Sequence, residues 1–261
     1  MKTRLKNLFL LPALIAGLGL IPTGRVTAQT FTTLHSFTGG SDGANPTAVL
    51  ILSGNTLYGT AYSGGSSSYG TVFAVSTDGT GFTNLHSFTF NGSPYYTNSD
   101  GANPLAGLIL SGNTLYGTAN IGGSSGYGTV FAVHTNGTGF TNLYSFTAAP
   151  GSLYTNSDGY QPVAGLILSG NTLYGTAAYG GTGNGTVFSL FIPPQLTIIP
   201  SGANVILTWP TNTAGFTLQS ATNLVSPVIW TNVSPAAVVV NGQNAVTNPI
   251  SGTQKFYRLS Q

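Results

Sequence analysis

The chain has 261 residues, of which only 4 % are charged, against roughly a quarter in an average soluble domain. It contains no Glu and no Cys, and its four acids are Asp42, Asp78, Asp100 and Asp158. That composition excludes a disulfide framework, a thiol nucleophile and a thiolate metal site, while 41 % hydrophobic residues predict a folded chain of strands and turns.

Residues 1–28 read as a signal peptide. Lys2, Arg4 and Lys6 form a basic start, an apolar run follows, and Val26–Ala28 ends in a small residue suited to cleavage. Pro12 and Gly17 interrupt the apolar run, which favours a removable signal over an anchor. Removal would leave Lys255 and Arg258 against four Asp, turning a formal charge of +2 into −2. The basic pI near 8.8 therefore gives no reason to expect nucleic-acid binding, or membrane binding once the signal is gone.

A repeat then dominates residues 29–192. Ser-Gly-Asn-Thr-Leu-Tyr-Gly-Thr-Ala occurs unchanged at Ser53–Ala61, Ser111–Ala119 and Ser169–Ala177, 58 residues apart. Gly-Thr-Val-Phe begins at Gly70, Gly128 and Gly185, and Asp-Gly recurs at Asp42, Asp100 and Asp158. Three landmarks in one register define three repeats.

Each repeat predicts four short strands. In the second, Pro104–Leu110 is apolar throughout, as in a strand buried on both faces. Ser-Gly-Asn turns the chain into Thr114–Ala119, with Leu115, Gly117 and Ala119 on one face. Thr129–Val133 and Phe140–Phe146 follow as third and fourth strands, the fourth more polar, as an exposed edge would be. The ends are offset: Phe31–Phe37 has fourth-strand character with no strands before it, and the third repeat stops after Thr186–Leu190. The N-terminal stretch is thus expected to complete the last sheet. The predicted class is all-β, with propeller-type four-stranded repeats, or alternatively a threefold trefoil- or prism-like fold, or half of a six-bladed dimer.

The pattern LYGT…GG…GTVF, as in Leu108–Val133 followed by Gly139–Phe146, resembles the GloVer tandem repeat of exported bacterial proteins across residues 31–191. The resemblance implies a repeat array on an exported protein with no established catalytic residues.

Beyond the proline pair at Pro193–Pro194, residues 195–261 predict a small β-sandwich with a fibronectin-III-like flavour. Trp209 and Trp230 are expected in its core, and Tyr257 and Arg258 at the end of its last strand, packing and offering a surface charge.

Catalytic chemistry finds little material. Asp42, Asp100 and Asp158 are equivalent positions in separate repeats, where Asp-Gly serves a turn. His35 and His86 share a fourth-strand position that is Tyr144 in the third repeat, an exchange a catalytic base would not tolerate. His86 should share a strand face with Phe82 and Phe88. Calcium would find one carboxylate in each Thr-Asn-Ser-Asp-Gly loop, too few for its usual six to eight oxygens. No catalytic residue, metal site or cofactor is expected.

The remaining signal is aromatic. Tyr95, Tyr96, Tyr154 and Tyr160 lie among small polar residues in loops and are the candidate ligand-binding residues; Tyr62, Tyr69, Tyr127 and Tyr179 decorate the other connection. The expected protein is a secreted, non-enzymatic scaffold or adhesion element at the cell surface. Its alternatives are a module binding extracellular polysaccharide or a cell-surface protein through those loops, a propeller-type hydrolase (disfavoured), and, in quaternary terms, a homodimer.

Overall fold

The computed structural model describes residues 29–89, 92, 97–149, 155–211, 215–252 and 254–261, so the signal segment expected at 1–28 lies outside the described residues. The chain divides into Met1–Thr33 and Leu34–Gln261. In the first unit, residues 29–33 are exposed and carry no regular structure.

Every regular element among the described residues of the second unit is a β-strand, and all the strand pairs are antiparallel. The first repeat forms β1 (Ile51–Ser53), β2 (Thr56–Ala61), β3 (Thr71–Ser76) and β4 (Thr83–Ser87), in sheet order β1-β2-β3-β4. The second forms β5 (Ile109–Ser111), β6 (Thr114–Ala119), β7 (Thr129–His134) and β8 (Thr141–Ser145) in the same order. The third has only β9 (Ile167–Ser169), β10 (Thr172–Ala177) and β11 (Thr186–Phe191). None of these sheets closes into a barrel.

The first strand of each repeat is shorter than its apolar run predicts. Pro104 has no N–H to give a ladder, and the carbonyl of Ala106 accepts the hydroxyl of Thr60 from the preceding repeat at 2.9 Å. A Cβ on Gly107 would fall 2.7 Å from Val49 Cγ2. The segment is committed to its neighbouring repeat, and ladder pairing starts only at Ile109.

Packing between repeats makes the core. Tyr58, Val72, Ala74, Leu85 and Phe88 of the first repeat meet Leu108, Leu115, Ala119, Phe131 and Val133 of the second. Val130 and Phe146 of the second meet Leu166, Leu173 and Ala177 of the third. Burying a Leu115 or Phe131 side chain contributes about 1.5–3 kcal/mol. Thr118, itself buried, extends the rule of Thr60 by donating to Ala164 O at 3.3 Å. Gly117 is the condition for this packing, because a Cβ there would lie 2.6 Å from Phe131 Cζ and 2.8 Å from Leu108 Cδ2.

Among the described residues of the second unit, Leu34–Phe37 does not close the last sheet. β11 has β10 as its sole neighbour among the described residues, and no residue of Leu34–Phe37 is in a strand. A strand needs a facing ladder, and this stretch has none; its side chains pack on the first repeat instead, with Phe37 edge-on to Phe73 at 5.1 Å.

The C-terminal region builds two sheets. One has order β12 (Thr197–Ser201), β13 (Asn204–Pro210), β17 (Gln243–Pro249), β16 (Val238–Val240); the other has β15 (Thr231–Asn232), β14 (Thr217–Ala221), β18 (Phe256–Ser260). Leu207, Trp209 and Val246 of the first sheet share a core with Leu218, Tyr257 and Leu259 of the second, a small sandwich. Trp209 is the core residue its sequence context predicts. Trp230 is not: it precedes β15, is half-buried, and lies under the Arg258 guanidinium at 4.3 Å from the ring centroid. Only two residues of that run pair with β14, which is too little sheet to draw the indole inward.

Candidate functional site: aspartate clasps and a tyrosine cluster

The recurrent polar constellation sits where one repeat hands over to the next. Asp100 follows β4, the fourth strand of the first repeat, and turns back on its end. Its Oδ2 lies 3.0 Å from His86 Nε2 and accepts the Thr89 N–H at 3.0 Å, while Oδ1 accepts the Thr89 hydroxyl. Asp42 repeats this with His35 at 3.1 Å and Thr38 at 2.9 and 2.6 Å. Asp158 repeats it with the Tyr144 hydroxyl at 2.8 Å and Thr147.

The following glycine locks the clasp to the sheet. Gly101 has φ +99°, and a Cβ on it would meet Thr129 Oγ1 and the Ala119 Cβ. The Thr129 hydroxyl in turn donates to Asp100 O at 3.2 Å, as Thr71 does to Asp42 O and Thr186 to Asp158 O. Asp-Gly is thus a turn tied to the third strand of its own sheet and to the fourth-strand end before it.

Electrostatics follow from these partners. Hydroxyl and N–H donation from Thr38 draws the Asp42 carboxyl down to about 2. Burial pushes Asp100 upward, but hydrogen bonds from His86 and Thr89 outweigh it and leave the carboxyl below its ordinary value. Asp158 behaves alike, with burial opposed by Thr147 and Tyr144. Burial, and then donation to the Asp158 carboxylate, pushes the Tyr144 hydroxyl up to about 12.

The fourth acid, Asp78, stands in the turn between β3 and β4, where its Oδ1 accepts the Thr80 N–H and hydroxyl at 2.9 and 2.7 Å. Asn136 makes the same turn in the second repeat. An amide does the work of the carboxylate, so the turn needs an acceptor and no charge.

These geometries decide what the polar residues can do. Both oxygens of each clasp carboxylate already accept protein donors. In the Thr-Asn-Ser-Asp-Gly loop, Asn98 Oδ1 accepts the N–H groups of Gly101 and Gly123 at 2.9 and 2.8 Å. Those oxygens face hydrogens, the reverse of a cation cage. Among the described residues no three of His, Cys, Asp and Glu come together as metal ligands. His86 stacks on Phe140 of the next repeat and meets Phe88 edge-on; the Phe82 face is taken by His35 and Phe73. Of the two ring contacts expected along one strand, the one with Phe88 is made, and Phe140 of the next repeat takes the place of Phe82.

Of the predicted ligand residues, Tyr95, Tyr96 and Tyr154 lie outside the described residues, and Tyr160 is within them. Tyr160 stacks on Tyr179 with centroids 5.3 Å apart and meets Tyr127 edge-on at 5.2 Å. Tyr160 and Tyr179 also exchange backbone hydrogen bonds at 3.0 and 3.2 Å. Their counterparts at the junction before are Ala102 and Ile121, bridged in the same way. The three-ring cluster therefore belongs to the second junction alone among the described residues, and Tyr179 is 48 % exposed. Sequence reasoning named all three tyrosines but placed Tyr160 with a different loop from Tyr127 and Tyr179; the bridge that joins the loops is a tertiary contact.

In the C-terminal sandwich a shallow groove runs over Ile199, Ile206, Thr208, Val238, Val240 and Ala245. Its lining has no titratable group.

Repeated antiparallel sheets, four-stranded in the first two repeats and three-stranded in the third, joined by equivalent clasps and packed on one another, define an all-β tandem-repeat protein. The model of the Gloeobacter/Verrucomicrobia repeat family matches residues 16–188, and the chain belongs to that family. No curated protein matches the chain.

Proposed function

We propose that the protein is an exported, non-enzymatic β-repeat scaffold that serves in adhesion at the cell surface. The observation that carries this reading is the threefold clasp: the carboxylates and ring donors a hydrolase would need are spent on packing, with Asp100 and Asp158 holding successive sheets together and Asp42 holding the segment before the first sheet to it. Repetition of the same contacts points to architecture, since chemistry needs one site and not three. Membership of a repeat family and a tripartite N-terminus agree with that role.

Two measurements test it. The chain, produced with its N-terminus, should appear outside the cell beginning near Gln29, and beads coated with it should adhere to cell envelopes or their polysaccharides. Retention of Met1 on exported protein, or absence of adhesion, counts against the reading. Hydrolytic turnover that disappears in Asp100→Asn while the variant stays folded would replace it with an enzyme.

A second reading has its own observation. The Tyr127–Tyr160–Tyr179 cluster offers stacked rings with hydroxyls at a junction whose predecessor has Ala102 and Ile121 in place of Tyr160 and Tyr179, a surface suited to sugar rings. Binding to a glycan array, lost in Tyr160→Ala with Tyr179→Ala, is its expected outcome; full retention in that variant removes the cluster from the assignment.

A further inference from the structure

The third repeat ends one strand short, and the chain itself carries a segment of the missing kind. On β3 and β7, each paired on both sides, Val72 and Val130 are wholly buried. Their counterpart on β11, Val187, is 82 % exposed. Thr176 is exposed too, although its counterparts Thr60 and Thr118 donate to a carbonyl of the following repeat. At the opposite end the complementary face is bare: Leu50 is 48 % exposed, whereas Leu108 and Leu166, its equivalents, are buried against the repeat before them.

Leu34–Phe37 already holds the place of a fourth strand. His35 stacks on Phe82 at 3.8 Å, as His86 of β4 stacks on Phe140 at 3.6 Å. The Leu34 carbonyl lies 2.9 Å from where a Cβ on Gly79 would stand, as that of Leu85 lies 3.1 Å from Gly137. The segment sits on the first repeat as β4 sits on the second, yet among the described residues it has no third-type strand to pair with. β11 is a third-type strand with no fourth.

We propose that β11 takes Leu34–Phe37 of a second chain as its fourth strand, reciprocally, so that two chains close on each other. The register is fixed by the repeat: Val72 faces His86 and Thr71 faces Ser87, so Val187 faces the second chain's His35 and Thr186 its Ser36. The bare face around Leu50 then covers Val187 and Tyr174 as the second repeat covers Val72 and Tyr58. The contact continues the interface seen twice inside the chain, which is why the occupant is this chain and not an unrelated strand. An unpaired apolar edge invites such pairing, and a head-to-tail contact that closes leaves no edge behind.

The chain has no Cys, so Ser36→Cys with Thr186→Cys in the full chain gives a clean test. Under oxidation a covalent species of twice the chain mass is expected, and the unmodified protein should sediment at that mass. An internal disulfide without doubling would show closure within one chain and overturn the proposal. A ladder beyond two chains would overturn reciprocal closure, and a monomer without cross-links would overturn the contact. Val187→Glu, exposed in the isolated chain and harmless to its folding, should weaken association by about tenfold or more by placing a charge in an apolar contact. Undiminished association in that variant also overturns the proposal.

Discussion

The imidazole of His86 lies flat on the ring of Phe140, with centroids 3.6 Å apart and planes 10° from parallel, although the two residues belong to successive repeats. The same imidazole reaches the Asp100 carboxylate, so one side chain joins a fourth strand, the turn that follows it and the neighbouring sheet. The third repeat uses Tyr144 for the bond to Asp158. What the position requires is a flat ring carrying a hydrogen-bonding atom.

His86→Ala should therefore destabilise the protein by about 2–3 kcal/mol, summing a hydrogen bond to a carboxylate and an aromatic stack. His86→Tyr should recover most of that loss, as Tyr144 does naturally. Urea denaturation of both variants checks the pair; equal damage from Ala and Tyr would deny the shared role.

Acid should loosen the clasps. Asp42, Asp100 and Asp158 all have carboxyls held below the ordinary 3.8, so the unfolded chain binds more protons as pH falls. Their stabilisation is complete above about pH 4 and is lost as pH falls through the folded values, about 2 for Asp42. Thermal unfolding followed from pH 5 to 2 should show Tm dropping in that window. Replacing all three residues by Asn should flatten the drop.

Alkali acts through a different group. Tyr144 has its hydroxyl raised from 10.0 to about 12, so its contribution is complete below about pH 10 and fades as pH rises through 12. Tyr144→Phe should remove that part of the alkaline loss of Tm, read by the same scan between pH 9 and 12.

Gly117→Ala should cost about 1–3 kcal/mol through overpacking against Phe131 and Leu108. Adding Phe131→Leu frees the space beneath the new methyl and should recover part of the loss. A double-mutant cycle in urea measures the coupling, and additivity of the two losses would place the strain elsewhere.

In the sandwich, Arg258 donates through Nε and Nη2 to Gln219 Oε1 at 3.0 and 2.9 Å while covering Trp230. A cycle of Arg258→Ala with Trp230→Ala should give a coupling of about 0.5–1 kcal/mol, the value of an exposed cation–π pair. A coupling near zero would leave Trp230 as plain packing.

By itself the sequence determined the repeat, its period and the middle strands of each sheet. Thr114–Ala119 and its equivalents form strands at the bounds their turn residues mark, because the Gly-Asn turn and the alternation around Leu115 are local signals. The turn role of Asp-Gly was legible for the same reason, since its backbone demand is carried within the motif. The partners of those residues were not legible. His86 pairs with Phe140, Thr60 with Ala106, and Tyr160 with Tyr127 and Tyr179 across distances the chain covers only by folding. Tertiary structure also shortened the first strand, by spending the Ala106 carbonyl on the neighbouring repeat, and left Trp230 half-buried beneath Arg258 instead of in the core. It left β11 bare, because Leu34–Phe37 packs on the first repeat. Local chemistry selects strands and turns; which sheet meets which edge depends on where whole repeats pack, and only the folded chain decides that.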